Sequence, residues 1–251
     1  MKLAVVTGAS SGIGAATARA LAGAGYEVIL VARSSDKLAA LAAEIGDCAR
    51  AVALDAAKPE AMARLVSALP DGVLAPDLIV NAAGAGVWKT LEQTSGEEAR
   101  EMMDAPYFAA FNVTRAFLVA MRARGSGVII HVNSPAYALS WPSSAAYTAA
   151  RAALFGLHRA LAQDLVGSGV KSCHVTFGKV NSAYFVNNPG TEEHIPALAR
   201  TVPTLEVEHC ATLIVGLAAR PRYNAVFPRL LRVYMGLATA FPALVRWLLR
   251  F

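Results

Sequence analysis

A chain of 251 residues that is 55% hydrophobic and only 16% charged excludes a disordered protein and is long enough for one sizeable α/β core. The formal charge of +5 is local: six arginines (Arg220, Arg222, Arg229, Arg232, Arg246 and Arg250) stand from Arg220 onward with no acid among them, which leaves the rest near neutral. No nucleic-acid module accompanies that charge, and Cys48, Cys173 and Cys210 lack metal-ligand spacing and read as small core residues.

Met1 runs directly into the apolar stretch Leu3–Thr7, with no basic leader or small-residue cleavage site. It therefore predicts a first strand rather than a signal peptide, and a cytoplasmic protein. Further β-branched runs follow at Glu27–Val31, Ala49–Leu54, Leu78–Val80, Val128–Val132, Lys171–Thr176 and Ala225–Phe227. Between them, alanine-rich segments keep a helical period over about residues 12–24, 36–45, 59–68, 97–123, 144–167 and 206–218. Strands alternating with helices require crossover units on a parallel sheet covered on both faces: an α/β fold, doubly wound, in three layers. No repeat or low-complexity linker divides the chain, so residues 1–251 are expected to form a single domain, with a variable loop at 183–205 and an apolar, basic tail at 227–251.

The first strand empties into Thr7-Gly8-Ala9-Ser10-Ser11-Gly12-Ile13-Gly14, and a helix begins at once. Glycines there let the backbone approach an anion, and the helix start offers it free N–H groups. In the bland alternative this is a tight turn with no ligand. Nineteen residues beyond Gly14 stands Arg33, with no acid on that strand end. An arginine at this place suits the 2′-phosphate of NADP(H), where an acid would suit NAD(H). Otherwise Arg33 is a solvated charge beside a helix capped by Ser35 or Asp36.

Taken together, these motifs resemble the short-chain dehydrogenases/reductases over nearly the whole chain. The glycine loop is their TGxxxGxG, Asp55 follows the third strand, Asn81-Ala82-Ala83-Gly84 follows the fourth, and Ser134 precedes Tyr147 by 13 residues. The resemblance implies a Rossmann-type sheet and an oxidoreductase with Ser134, Tyr147 and Arg151 as catalytic residues. It implies a cofactor held by Gly8, Ser10, Ser11, Gly12, Ile13, Gly14, Arg33, Asp55, Asn81, Ala82, Gly84, Tyr147, Arg151, Val180 and Ser182, and assembly into dimers or tetramers.

The chemistry stands on its own terms. Reducing a carbonyl needs a hydride and a proton, so an acid must reach the forming alkoxide. A tyrosine serves if a fixed cation one helical turn away favours its phenolate, and Tyr147 and Arg151 are four residues apart. Ser134 would anchor the carbonyl. Three departures from the family pattern stand out. Arg151 replaces a lysine, keeping the charge but never deprotonating. The helix position of a catalytic asparagine falls on Pro106, which either kinks that helix and frees the Met102 carbonyl or merely begins it; Asn112 is a different position. Phe177 replaces a proline in the segment that runs to Ser182.

The expected activity is NADPH-dependent reduction of a hydrophobic ketone or imine, or the reverse alcohol oxidation; Tyr184, Phe185 and Ile195 favour an apolar substrate. The alternatives are a nucleotide-binding sensor or scaffold without redox turnover, and an isomerase or lyase on the same scaffold. His194 is expected to be solvated rather than catalytic. For the tail three readings compete: a helix on a membrane surface, a subunit contact, or a flap over the pocket.

Overall fold

All seven apolar runs form strands of one parallel sheet, in a computed structural model that describes residues 1–184, 188 and 194–249. The strands are β1 (Lys2–Thr7), β2 (Tyr26–Ala32), β3 (Ala49–Ala53), β4 (Leu78–Asn81), β5 (Gly127–Asn133), β6 (Val170–Phe177) and β9 (Asn224–Phe227). Their order is β3-β2-β1-β4-β5-β6-β9. A two-residue pair, β7 (Val180–Asn181) with β8 (Leu205–Glu206), was too short to leave a sequence signal.

The side-chain period of two sorts each strand between two cores. Ala4, Val6, Val28, Leu30, Ile130, Val132 and Val175 face α1 (Gly12–Gly23), α2 (Ser35–Ile45) and α8 (Val207–Ala219). Leu3, Val5, Ile29, Val31, Ile79 and Ile129 face α3 (Met62–Val66), α5 (Ala109–Arg124) and α6 (Ala145–Asp164). Helices on both faces make this a Rossmann-type three-layer α/β sandwich. Because β1 pairs with both β2 and β4, the crossovers leave the strand ends in opposite directions there, which opens a crevice above the sheet.

Two details depart from expectation, and a third decides between alternatives. The segment expected as helix over 59–68 splits into a 3-10 turn, Pro59–Ala61, and α3. Cys48 is only half-buried on a loop, whereas Cys173 and Cys210 are core residues. Pro106 does not begin a helix: α4 (Gly96–Met103) continues through a π-helical turn, Asp104–Phe108, into α5. The Ala109 N–H there reaches the Asp104 carbonyl, five residues back. A proline has no N–H to give to the carbonyl four residues earlier, and the wider turn absorbs that loss.

Beyond β9 the chain is helical again: α9 (Arg229–Ala240) and α10 (Pro242–Leu248) fold back on each other, and a short α7 (Ala197–Arg200) lies beside them. Leu231, Val245 and Leu249 bury themselves against Leu139 and Val202. Of the three readings of the tail, the flap matches this packing.

Beneath α6 lies a buried polar strip. His131, His158 and His174 are all 0% exposed, and their rings form a column with centroids 6.0 and 5.4 Å apart. Burial, with mutual repulsion added, lowers His131 to about 3, and burial lowers His158 and His174 to about 4. Unfolded, each titrates near 6.5, so below that pH the unfolded chain binds more protons than the folded one. Stability is therefore full above pH 6.5 and falls as the pH drops towards 4. Urea titrations between pH 7 and pH 5 should show a slope approaching about 1.4 kcal/mol per pH unit for each histidine. A flat profile over that window would contradict the neutral, buried column.

Candidate active site

A cavity of about 870 Å³ opens at the carboxyl ends of the strands, above the β1/β4 crevice. One end is built by the glycine loop. Gly8 has φ of 67°, and a Cβ there would stand 2.8 Å from the Ala82 carbonyl oxygen and the Ala83 nitrogen. The Thr7 hydroxyl stitches the same two strand ends together, accepting from the Ala82 and Ala83 N–H groups at 3.1 Å each. No side chain caps the first turn of α1 and no acid stands in it. Its N–H groups and positive end are therefore open to an anion, and the loop fits a pyrophosphate.

Arg33 and Ser34 line the cavity where β2 ends. Arg33 is exposed and makes no ion pair among the described residues, so its charge is available. Asp55 also lines the cavity, with Oδ1 accepting the Ala57 N–H at 3.0 Å. Val180 and Ser182 cross towards the loop, and a Cβ at Gly12 would lie 3.7 Å from the Ser182 Cβ. The expected Asn81 is the exception. Its side chain is 2% exposed and turns down under the sheet, to Thr114 Oγ1 and His131 Nδ1 at 3.3 Å each, so it supports the site without lining the cavity.

The other end holds Ser134, Tyr147 and Arg151. Tyr147 and Arg151 are 6% and 8% exposed, on one face of α6, with the guanidinium carbon 4.9 Å from the tyrosine ring centroid. Two glycines make room for them. A Cβ at Gly84 would come within 2.7 Å of Arg151 Nη2, and one at Gly86 within 2.7 Å of the Tyr147 ring. No described carboxylate pairs with Arg151, and its buried Nε has no hydrogen-bond partner. A buried cation left so needs acceptor oxygens, which the ribose hydroxyls of a dinucleotide carry.

Asn133, which sequence reasoning passed over, holds this end together. Its Oδ1 accepts the Ser134 N–H at 2.9 Å, while Nδ2 donates to the Arg151 carbonyl at 3.0 Å and meets His174 Nε2 at 3.0 Å. Since Asn133 is the donor, His174 Nε2 must accept, which leaves the imidazole proton on Nδ1, facing Asn224 Oδ1 at 3.1 Å. One chain of neutral groups thus runs from β9 through β6 and β5 to the backbone of α6.

The wall of the cavity was equally hidden. Trp88 and Trp141 pack with ring centroids 4.8 Å apart, and Trp88 lies 5.8 Å from Tyr147. Tyr184 donates to the Gly86 carbonyl at 2.6 Å, and burial, with Tyr147 beside it, raises its hydroxyl well above the usual tyrosine range. It stays protonated and is no base. Ile195 lines the cavity, His194 is exposed and does not line it, and Phe185 lies outside the described residues. Asn112 is structural, donating to the Ala56 and Ala57 carbonyls at 3.1 and 2.9 Å. Pro106 is buried in the π turn, and Asp104 and Ala105 of that turn reach the cavity.

Comparison with known proteins identifies the family and the fold. The short chain dehydrogenase family model matches residues 2–193. An uncharacterized oxidoreductase of Mycobacterium tuberculosis is 36% identical over 223 residues, covering 88% of this chain and 87% of that protein. A short-chain dehydrogenase from Streptomyces avermitilis superposes with a TM-score of 0.83 at 28% identity, over 98% of this chain and 95% of that one. An alcohol dehydrogenase from the archaeon Thermococcus sibiricus, solved with 5-hydroxy-NADP, gives 0.77 at 28% identity, over 90% and 96%. The chain belongs to the short-chain dehydrogenase family and is an NAD(P)-dependent oxidoreductase.

Proposed function

We propose that this enzyme uses NADP(H) to interconvert a hydrophobic carbonyl compound, a ketone or imine, and its reduced product. The observation that carries this reading is the single cavity with an uncapped helix start and Arg33 at one end and Ser134, Tyr147 and Arg151 at the other. Gly8, Ser10, Ser11, Gly12, Ile13 and Gly14 would hold the pyrophosphate, Arg33 the 2′-phosphate, Asp55 and Ala82 the adenine side. Gly84, Tyr147, Arg151, Val180 and Ser182 would hold the nicotinamide side. The NADP derivative bound to the Thermococcus enzyme supports this choice of cofactor.

When bound, the dinucleotide supplies or accepts the hydride. Ser134 donates a hydrogen bond to the carbonyl oxygen, which polarises it and fixes its position. Tyr147 gives its proton to that oxygen as the alkoxide forms, and the Arg151 cation beside the ring stabilises the phenolate left behind. Arg151 does not release a proton, so the proton that returns to Tyr147 does not come through this side chain.

The tryptophan wall and the apolar residues of the tail that line the cavity favour a hydrophobic substrate. We read the chain as one domain and as a cytoplasmic homo-oligomer, a dimer or tetramer. The exposed rings of Phe108 and Phe111 support such an assembly. Contact with a membrane, through the tail, is peripheral. Loss of the amide at Pro106 favours the second reading, a nucleotide-binding protein without redox turnover.

NADPH and NADH titrations by fluorescence, followed by turnover of lipophilic ketones, enones and imines, separate these readings. Arg33→Ala should weaken NADPH at least about tenfold and leave NADH unchanged, as loss of a charged hydrogen bond requires. Tyr147→Phe should lower kcat by at least about a hundredfold with NADPH affinity intact; persisting turnover would show that another group is the acid. Asn133→Ala leaves His174 Nε2 and the Arg151 carbonyl without their donor, so stability should fall by about 2 kcal/mol and kcat with it, as Ser134 and α6 lose their alignment. Unchanged urea stability would remove Asn133 from the supporting chain.

A further inference from the structure

The two tail helices have two working faces. Leu231, Tyr234, Val245 and Leu249 look inward and line the cavity. Outward, Leu230, Val233, Leu237, Phe241, Leu244 and Trp247 stay between 36% and 57% exposed. In α9 the first three recur at spacings of three and four, which makes one stripe. Arg229, Arg232 and Arg246 are exposed on the same two helices, and no acid follows Arg220.

Apolar area of this kind on a soluble surface marks an interaction site, and its charge selects the occupant. A twofold contact between two copies would gather like-charged arginines about its axis with no acid on the hairpin to offset them. An anionic lipid surface complements both features: the stripe sinks to the acyl boundary while the arginines stay among the head groups. At 12 and 7 residues, α9 and α10 lie along such a surface, and no described helix is long and apolar enough to cross a membrane.

We propose that the hairpin 229–248 docks on an anionic bilayer and that the cavity it roofs takes its substrate from there: an aliphatic ketone or aldehyde with a long apolar chain, partitioned into the lipid. The substrate class rests on the reductase reading above; the docking surface does not. Helices seated in the interface place the roof of the cavity against the acyl region, so such a carbonyl reaches the Tyr147 end without crossing water.

The test is flotation of the full chain with vesicles of phosphatidylcholine alone and of phosphatidylcholine with phosphatidylserine. Two variants accompany it, Arg229→Glu/Arg232→Glu/Arg246→Glu and Leu237→Ser/Phe241→Ser, none of these residues lining the cavity. The parent should float with the anionic vesicles and release at high salt, and the charge-reversed chain should bind at least roughly tenfold more weakly. Fluorescence titration of NADPH should be the same for all three, which shows that the variants are folded. A long-chain methyl ketone carried in the anionic vesicles should be reduced faster by the parent than by either variant, and a short water-soluble ketone equally by all.

Recovery of the parent in the unbound fraction with anionic vesicles overturns the proposal. So does light scattering that shows a dimer which Leu237→Ser/Phe241→Ser dissociates, since the stripe then belongs to a second copy. Flotation with no turnover of either ketone upholds the lipid contact and overturns the reductase reading together with the bilayer-borne substrate.

Discussion

One amide at the end of β5 ties down α6, the helix that carries Tyr147 and Arg151. Asn133 spends its oxygen on the Ser134 backbone and its two hydrogens on the Arg151 carbonyl and the His174 imidazole. In an interior where an unpaired polar group costs about 1–3 kcal/mol, the observed placement of β5, β6 and α6 satisfies all of these groups at once. Tyr147 and Arg151 inherit their positions from that placement. The strictness has a consequence for pH: a protonated His174 would present a second donor to the Asn133 amide, and burial holds this imidazole at about 4, so the neutral arrangement persists through the physiological range.

A second constraint acts at the centre of the sheet. The crevice exists because β1 has β2 on one side and β4 on the other, and the Thr7 hydroxyl ties the two strand ends that border it. Gly8 and Gly14 let the loop lie flat there, for a Cβ at either would enter neighbouring backbone. The glycine-loop end of the cavity is thus made almost wholly of backbone, whereas the Tyr147 end is made of side chains.

Both departures near Tyr147 have a local physical answer. Arg151 is longer and planar, and its guanidinium sits 4.9 Å from the Tyr147 ring centroid and against Gly84, where a lysine would have presented a point charge. Pro106 withdraws one backbone donor, and the helix meets this by opening a π turn. The cation is kept, and the helix runs on through the wider turn. In the reading proposed above, a guanidinium that never deprotonates at Arg151 and a proline with no side-chain amide at position 106 carry no proton to Tyr147.

The amino-acid sequence alone determined the doubly wound parallel fold and marked the glycine loop, Arg33, Ser134, Tyr147 and Arg151, which the fold gathers around one cavity, because each signal depends on residues close in the chain or on a period of two or 3.6 that local geometry imposes. It misplaced Asn81, whose identity is visible but whose side-chain direction depends on which face of β4 meets α5. Asn133, His174 and the Trp88–Trp141 wall were decided only by tertiary structure, since their partners lie 18, 41 and 53 residues away and no spacing rule links them. The tail is the clearest case. Its arginines and apolar residues are plain in the sequence, but which of them turn inward to roof the cavity and which remain outside was set by packing against Leu139 and Val202, far back along the chain.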